Sequence, residues 1–342
     1  MNKFLKTDLN SKNILSSLNF INSSDFVFSA TVNLEDFQNL DIKNIYKLKE
    51  DNGLFTFINL EIDIKENSII YCHADYVEIL FKFLQNCNFR NLILLSSQSD
   101  RVINKKLFKK KPACIKVWFA TNVTYQHRYL IPIPLGVSPY RNSKSVIIND
   151  ILEFKDIEIK DNLLYSNFNI NTNYFHRKKA IYFVNKYKFS RLKQAKKYKD
   201  YLIEIAKSEF VLAPWGNGID THRFWEALYL GTIPVTKKHK LYESFDDIPM
   251  VLVKSYKYLN KLNNLIPKNH FSRKLNFDWW LSLILSFKNI NNINFSKYLY
   301  TIQEVDYIKK YEYNLNSKNF RNKKLKTLLR KLDEKLNIFH KI

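Results

Sequence analysis

Residues 209–236 read EFVLAPWGNGIDTHRFWEALYLGTIPVT, and the fold is decided in this stretch. Phe210 to Ala213 is a short apolar run of the kind that makes a buried strand, and Pro214-Trp215-Gly216-Asn217-Gly218 cannot prolong it. Asp220 or Thr221 then caps a helix whose apolar face closes at Leu228 and Leu230. Gly231 stops that helix, and Thr232-Ile233-Pro234-Val235 begins a second strand. A glycine-rich turn feeding a helix N-terminus attracts anions, because its N–H groups lack partners and the helix dipole favours negative charge. Arg223 lies on the first turn, where a guanidinium grips phosphate bidentately. Glu226 follows three residues later on the same face, where it accepts hydrogen bonds from ribose hydroxyls. On this reading Gly216, Asn217, Gly218, Asp220, Arg223 and Glu226 hold a nucleoside diphosphate. The plainer alternative is an ordinary turn followed by a solvent-facing Arg223–Glu226 ion pair.

The run Gly216 to Leu228, followed by Gly231-Thr232-Ile233-Pro234-Val235, resembles the donor-site motif of exostosin-like glycosyltransferases, family 47 and relatives. Asn167 to Asn173, with Arg177 just after, is similar to the first loop of their nucleotide-binding domain. Lys116 to Asn122 and Ile131 to Val137 are similar to the end of their first domain. The likeness is dense from Glu209 to Val253, thinner from Ile69 to Arg177, and absent at both ends. Trp215 and Thr221 depart from the family pattern, which leaves the donor base and sugar open. The resemblance implies a GT-B architecture, with two Rossmann-like doubly wound domains facing across a cleft. It also implies an inverting, metal-independent transfer from a UDP- or GDP-linked sugar to a glycan or glycolipid hydroxyl, with no further cofactor.

Composition bounds the alternatives. The 342 residues hold 55 Lys and Arg against 32 Asp and Glu, a net charge of +23. Such a balance suits nucleic acid, an anionic membrane or an acidic substrate. The abundance of Lys, Asn and Ile also fits the bias of an AT-rich genome. No zinc-finger, basic-zipper or RNP-like motif is present, so no nucleic-acid partner is expected. Cys72, Cys87 and Cys114 form no CxxC or His/Cys cluster; they read as reduced core residues, and no metal site is expected. Met1 to Asp8 lacks the apolar core of a signal peptide, and no run reaches membrane-spanning length. Trp279 to Phe287 is the most apolar window and reads as a buried helix. A cytoplasmic location is expected, in a bacterial or viral setting, because the eukaryotic members of the resembled family carry a membrane anchor.

Outward from the motif, strands and helices alternate. Phe26–Ala30, Leu54–Leu60, Ser68–Cys72, Asn91–Leu95, Ile115–Phe119 and Tyr129–Ile133 read as strands, with a helix over Tyr76–Leu84. Polar residues at the strand ends fit a parallel doubly wound sheet. Ser138 to Asp161 reads as a linker. Beyond it come a strand from Asn162, a helix or strand over Lys178–Val184, a helix from Lys193 to Ala206 and a strand over Ile248–Val253. The division expected is 1–155 for an acceptor-side domain, 156–290 for the nucleotide-sugar domain and 291–342 for a helical tail. In that tail Leu325, Leu328, Leu329, Leu332 and Leu336 recur at helical spacing among lysines. Such a helix either lies on an anionic membrane, on its inner face, or docks on the protein body.

An inverting transfer needs charge at the leaving diphosphate and a general base at the acceptor. The Gly218–Asp220 backbone, Arg223 and Arg177 fit the first need, with Asn169 in the preceding loop; His222 either touches phosphate or sugar or is a satisfied core histidine. Asp100 and Asp75 both follow predicted strands and are the candidates for the base. Asp100 is the first choice, since Ser96 to Asp100 resembles a turn in the relatives. Either carboxylate equally suits a helix cap. His127 and Asn122 are candidate acceptor contacts. The rival readings are a nucleotide-sugar binder without turnover, a fucosyltransferase-like GT-B enzyme, and a basic protein that binds nucleic acid or a membrane surface.

Overall fold

The computed structural model describes residues 9–88, 90–140, 147–187, 190–192, 197–265, 272–288, 298–301 and 305–336. The opening segment to Asp8, the first residues of the helix expected from Lys193 and the start of the tail at 291–297 lie outside the described residues.

The first half runs α1 (Ser17–Asn22), β1 (Phe26–Asn33), α2 (Leu34–Gln38), β2 (Ile45–Asp51), β3 (Leu54–Asn59) and β4 (Glu61–Ile64). It continues through β5 (Ile69–His73), α3 (Val77–Leu84), β6 (Leu92–Ser97), α4 (Lys105–Phe108), β7 (Ile115–Ala120) and β8 (Leu130–Pro132). These build a seven-stranded sheet in the order β2-β3-β1-β5-β6-β7-β8. From β1 through β8 the neighbours are parallel, whereas β3 pairs antiparallel with both β1 and β2. The sheet is therefore mixed, not the doubly wound parallel sheet that strand–helix alternation predicts. Asn52 and Gly53 explain the difference: both have positive φ, 51° and 73°, the requirement of a two-residue hairpin turn. So short a connection admits only an antiparallel return.

The second half runs α5 (Ile147–Phe154), β9 (Asn162–Ser166), α6 (Tyr174–Tyr187), β10 (Ser190–Leu192), α7 (Tyr198–Ala206), β11 (Ser208–Leu212), α8 (His222–Tyr229), β12 (Ile233–Lys237), α9 (Lys240–Glu243) and β13 (Val251–Val253). A 3₁₀ helix (Tyr256–Asn264) and α10 (Phe277–Leu285) follow. Helix α5 occupies the segment expected as a linker. Ile148 and Ile151 are buried on it, and Lys199 of α7 meets its Asp150 and Glu153 at 3.5 and 2.7 Å.

The five-stranded sheet is parallel throughout, in the order β10-β9-β11-β12-β13. Its strands thus stand 2-1-3-4-5 in order of appearance, the doubly wound arrangement in which the connections reverse direction between β9 and β11. Both faces are covered. Leu164, Phe210, Leu212, Ile233 and Val235 pack with Ala180 and Val184 of α6 and with Tyr256, Leu259 and Leu262. On the other face Tyr165 and Val211 pack with α7 and α8 through Leu202, Ile205, Ala206 and Trp225. That second core continues into the first half through Ile93, Leu95, Val117 and Phe119.

Residues up to Leu299 form one compact unit, which contains the seven-stranded and five-stranded sheets, and residues from Tyr300 form another. The second unit is dominated by helix α11 (Val305–Leu336) of 32 residues, about 48 Å long at 1.5 Å per residue. No described helix is long and apolar enough to cross a membrane.

Candidate functional site

The stretch 209–236 folds as its residues dictate: β11 to Leu212, the turn, α8 from His222, then β12 from Ile233. Gly231 ends α8 with φ at +68°. Thr221 occupies the N-cap position without a side-chain capping bond. Asp220 lies buried instead, accepting from Thr221 N at 2.8 Å, from Trp225 Nε1 at 2.9 Å and from Leu135 N at 2.9 Å. Burial pushes its carboxyl up to about 6, against the pull of those three donors. Asp220 therefore ties α8 to the Leu135 segment after β8.

The backbone donors of the turn, expected to face phosphate, are taken by the first half of the chain. Gly218 N donates to Asp100 Oδ1 at 3.2 Å. Ile219 N and Asp220 N both donate to Asn122 Oδ1, at 2.9 and 3.1 Å. Asn122 sits at φ +53°, a left-handed conformation that Asn tolerates better than most residues, and its Nδ2 donates to Ser99 O at 3.1 Å. Glycine at 218 lets these groups approach closely: a Cβ would lie 2.9–3.0 Å from the Asn122 amide and the Asp100 carboxylate, which would have to shift. The loops after β6 and β7 thus bracket the turn by direct contact.

Positive charge gathers at the crevice between β9 and β11. Arg177, 5% exposed, donates to Asn169 O after β9 at 2.6 Å and to Pro214 O and Trp215 O after β11 at 3.2 and 3.0 Å. Burial, then the neighbouring Arg223 charge, push its guanidinium down to about 10. Arg223 lies over the Tyr201 ring at 5.8 Å, and its buried Nε has no hydrogen-bond partner. Trp215 Nε1 and Thr221 Oγ1 are buried without partners as well. Three such atoms within one turn and its helix are costly unless a ligand or water supplies their partners. Trp215 also stacks on His176, centroids 4.9 Å apart at 7°. Lys237 approaches the Trp215 ring at 5.7 Å. Burial, then Lys237, Arg177 and Lys179, lower His176 to about 4.

Glu226 differs from its expected role. It is 5% exposed, and its two oxygens accept from Tyr198 Oη at 2.9 Å and Tyr201 Oη at 2.7 Å. It faces α7 and not a ribose, and no ion pair joins it to Arg223 among the described residues, because the tyrosines supply its desolvated charge with donors. His222 Nδ1 lies 2.7 Å from Gly136 O, which makes it a second tie between α8 and the β8 loop. Asn169 is exposed; its side chain caps its own loop by accepting from Asn171 N. Gly216 O accepts from Asn173 Nδ2 at 2.8 Å, and Asn217 is exposed at the tip of the turn.

The two candidate bases separate. Asp100 is exposed; Oδ1 takes the Gly218 N–H and Oδ2 accepts nothing among the described residues. Its charge reaches Arg177 and raises that guanidinium's affinity for its proton. Asp75 accepts from Ser99 Oγ at 2.6 Å, while its backbone carbonyl accepts from Arg101 at 2.8 Å. It supports the Asp100 loop from behind. Asn122, Tyr198 and Tyr201 are the site-building residues that sequence alone undervalues: nothing in their local pattern announces the turn or the glutamate they hold. Among the described residues no group of three His, Cys, Asp or Glu side chains is placed to hold a metal ion.

No family model matches the chain, and no curated protein matches it. Among solved structures it is similar to AviGT4, a glycosyltransferase involved in avilamycin A biosynthesis, at 13% identity and a TM-score of 0.28. The match covers 62% of this chain and 73% of that one. An overlap of that quality fixes neither fold nor activity.

Proposed function

We propose that this protein is a glycosyltransferase that moves a sugar from a UDP- or GDP-linked donor to a glycan or glycolipid hydroxyl. The observation that carries this reading is the pairing of Arg177 and Arg223, neither in an ion pair among the described residues, at the crevice where the doubly wound sheet reverses direction. Ligands of such sheets bind at that reversal, beyond the carboxyl ends of the strands. Two neighbouring guanidiniums suit a diphosphate. The sequence resemblance of residues 209–253 to exostosin-like enzymes points the same way.

In this reading residues 156–290 hold the donor and residues 1–155 present the acceptor. Arg223, its Nε uncommitted, meets the diphosphate, while Arg177 adds charge and holds the two loops at Asn169 and Pro214-Trp215 in register. The acceptor oxygen attacks the anomeric carbon on the face opposite the diphosphate. The carbon–oxygen bond to phosphate breaks with its electron pair leaving on the diphosphate. Asp100 Oδ2 takes the acceptor proton. Transfer proceeds with inversion, and the arginines do the work that a metal ion would otherwise do. The protein works in the cytoplasm, and the basic α11 brings it to the inner face of an anionic membrane.

Thermal shift against UDP, GDP, ADP and CMP, with wild type and Arg223→Ala, tests the reading. A nucleotide at 100 times its dissociation constant adds about 2.7 kcal/mol of stability. UDP or GDP should raise the wild-type midpoint and leave Arg223→Ala unmoved. A wild type indifferent to every nucleotide sinks the reading; an undiminished shift in Arg223→Ala misplaces the site. Binding with no transfer from any UDP- or GDP-sugar reduces the protein to a nucleotide-sugar binder.

A further inference from the structure

A cavity of about 610 Å³, within the range of small-molecule sites, shares no residue with the arginine crevice. Its wall starts at Val123, one residue beyond the Asn122 clamp, and is completed by α9 and α10. Aromatic rings dominate one side. Tyr125 and His127 stack with centroids 6.0 Å apart at 24°, His127 packs on Phe108 at 4.6 Å, and Trp279 stands on the α10 side. His127 is exposed and Tyr125 half-buried, so the rings present surface to the cavity and are not sealed in the core.

The charged side chains lining it are Arg128 and Lys240, and no carboxylate lines it. Neither cation has an acidic partner among the described residues; Arg128 lies over the Tyr129 ring at 4.6 Å, and both are exposed. Lys105 adds a third positive charge against Tyr125, at 5.8 Å. Ser244 and Gln126 supply neutral hydrogen-bonding groups at the rim. Flat rings that accept the C–H face of a pyranose, with cations at the edge and no competing acid, make a recognisable combination. A neutral sugar would leave the cations unused, and a bare anion would leave the rings unused.

We propose that this cavity binds a sugar ring that carries an anionic group, a carboxylate or a phosphate, and that it is the acceptor subsite. The acceptor role rests on the glycosyltransferase reading; the binding does not. Direct titration by calorimetry tests it, with glucuronic acid, glucose 6-phosphate, glucose and inorganic phosphate as probes. The proteins are the full chain, Tyr125→Ala, Arg128→Ala/Lys240→Ala and Arg223→Ala. These side chains are exposed or half-buried, so unchanged melting midpoints show that each variant is folded.

The expected result is that at least one charged sugar binds roughly tenfold more tightly than glucose, a difference of about 1.4 kcal/mol. Loss of roughly that factor is expected in both Tyr125→Ala and the double variant, while Arg223→Ala binds as wild type does. Which of the two charged sugars binds separates carboxylate from phosphate recognition. Equal binding of glucose, displacement by inorganic phosphate at the same concentration, or loss in Arg223→Ala overturns the proposal. Failure of every nucleotide to bind, with charged-sugar binding intact, leaves the cavity standing and removes only its acceptor role.

Discussion

Replacing Asn122 by Ala should be among the most damaging single changes that can be made away from the apolar core. The side chain is 1% exposed, and its Oδ1 is the acceptor for two buried N–H groups, Ile219 and Asp220. Alanine leaves both unpaired, at about 1–3 kcal/mol each. The position also holds φ at +53°, which costs a Cβ-bearing residue without a helpful polar side chain about 1–2 kcal/mol. A total near 4 kcal/mol follows if some water reaches the turn. Asn122→Gly keeps the two orphans and removes the strain, so it should lose about 1 kcal/mol less than Ala. Asn122→Asp keeps both acceptor bonds, loses the donation to Ser99 O and sets a second carboxylate beside Asp100; about 2 kcal/mol is expected. Urea unfolding followed by tryptophan fluorescence gives the ranking Ala, Gly, Asp from worst to mildest, provided the slopes agree. A loss under about 1 kcal/mol in Asn122→Ala, or an Asp variant worse than Ala, would refute the clamp.

Stability should respond to pH through two groups of opposite sign, the buried Asp220 and the half-buried His176. Asp220, held up near 6 against an ordinary 3.8, adds stability below 3.8 that disappears as pH rises through about 6. His176, held down near 4 against an ordinary 6.5, adds stability above 6.5 that disappears as pH falls through about 4. Melting curves from about pH 4 to about pH 7 should show Asp220→Asn gaining on wild type as pH rises and His176→Phe gaining as it falls; flat differences would remove both assignments. Gly136→Ala sets a Cβ 2.2 Å from Leu15 O at φ +69° and should cost about 3 kcal/mol or more. Gly231→Ala, at φ +68° with nothing within 4 Å, should cost only about 1 kcal/mol, and equal losses in urea would discredit the contact. On α11, Leu325, Leu328, Leu329 and Leu332 are exposed; Leu328→Glu/Leu332→Glu should release the protein from anionic vesicles in flotation, with salt weakening the wild type. Co-flotation of both proteins, or of neither, would remove the membrane role.

The strand, turn and helix of residues 209–236 are legible in the sequence because turn chemistry is local: Pro214 and Gly231 each state their own backbone requirement. The strands from Ile69 to Phe119 are equally plain, being continuous apolar runs. Strand β2 escapes notice because as an edge strand it exposes Lys49, Glu50 and Asp51, which reads as loop. Helix α5 hides in a segment whose composition suggests a linker. The partners of Asp220 and Glu226 are illegible for a different reason. Leu135 lies 85 residues away and Tyr201 25, and no local pattern states which distant donor a buried carboxylate will meet. The lining of the candidate sites depends on such pairings throughout.

The clamp on the glycine turn has a kinetic consequence. Its three hydrogen bonds span 118, 97 and 98 residues of chain, and contacts of such sequence separation form late, because loop closure must precede them. The five-stranded sheet and its helices can therefore be complete while the turn is still unset. In refolding, helical signal should return first, and nucleotide affinity should follow in a slower phase whose rate Asn122→Gly should change.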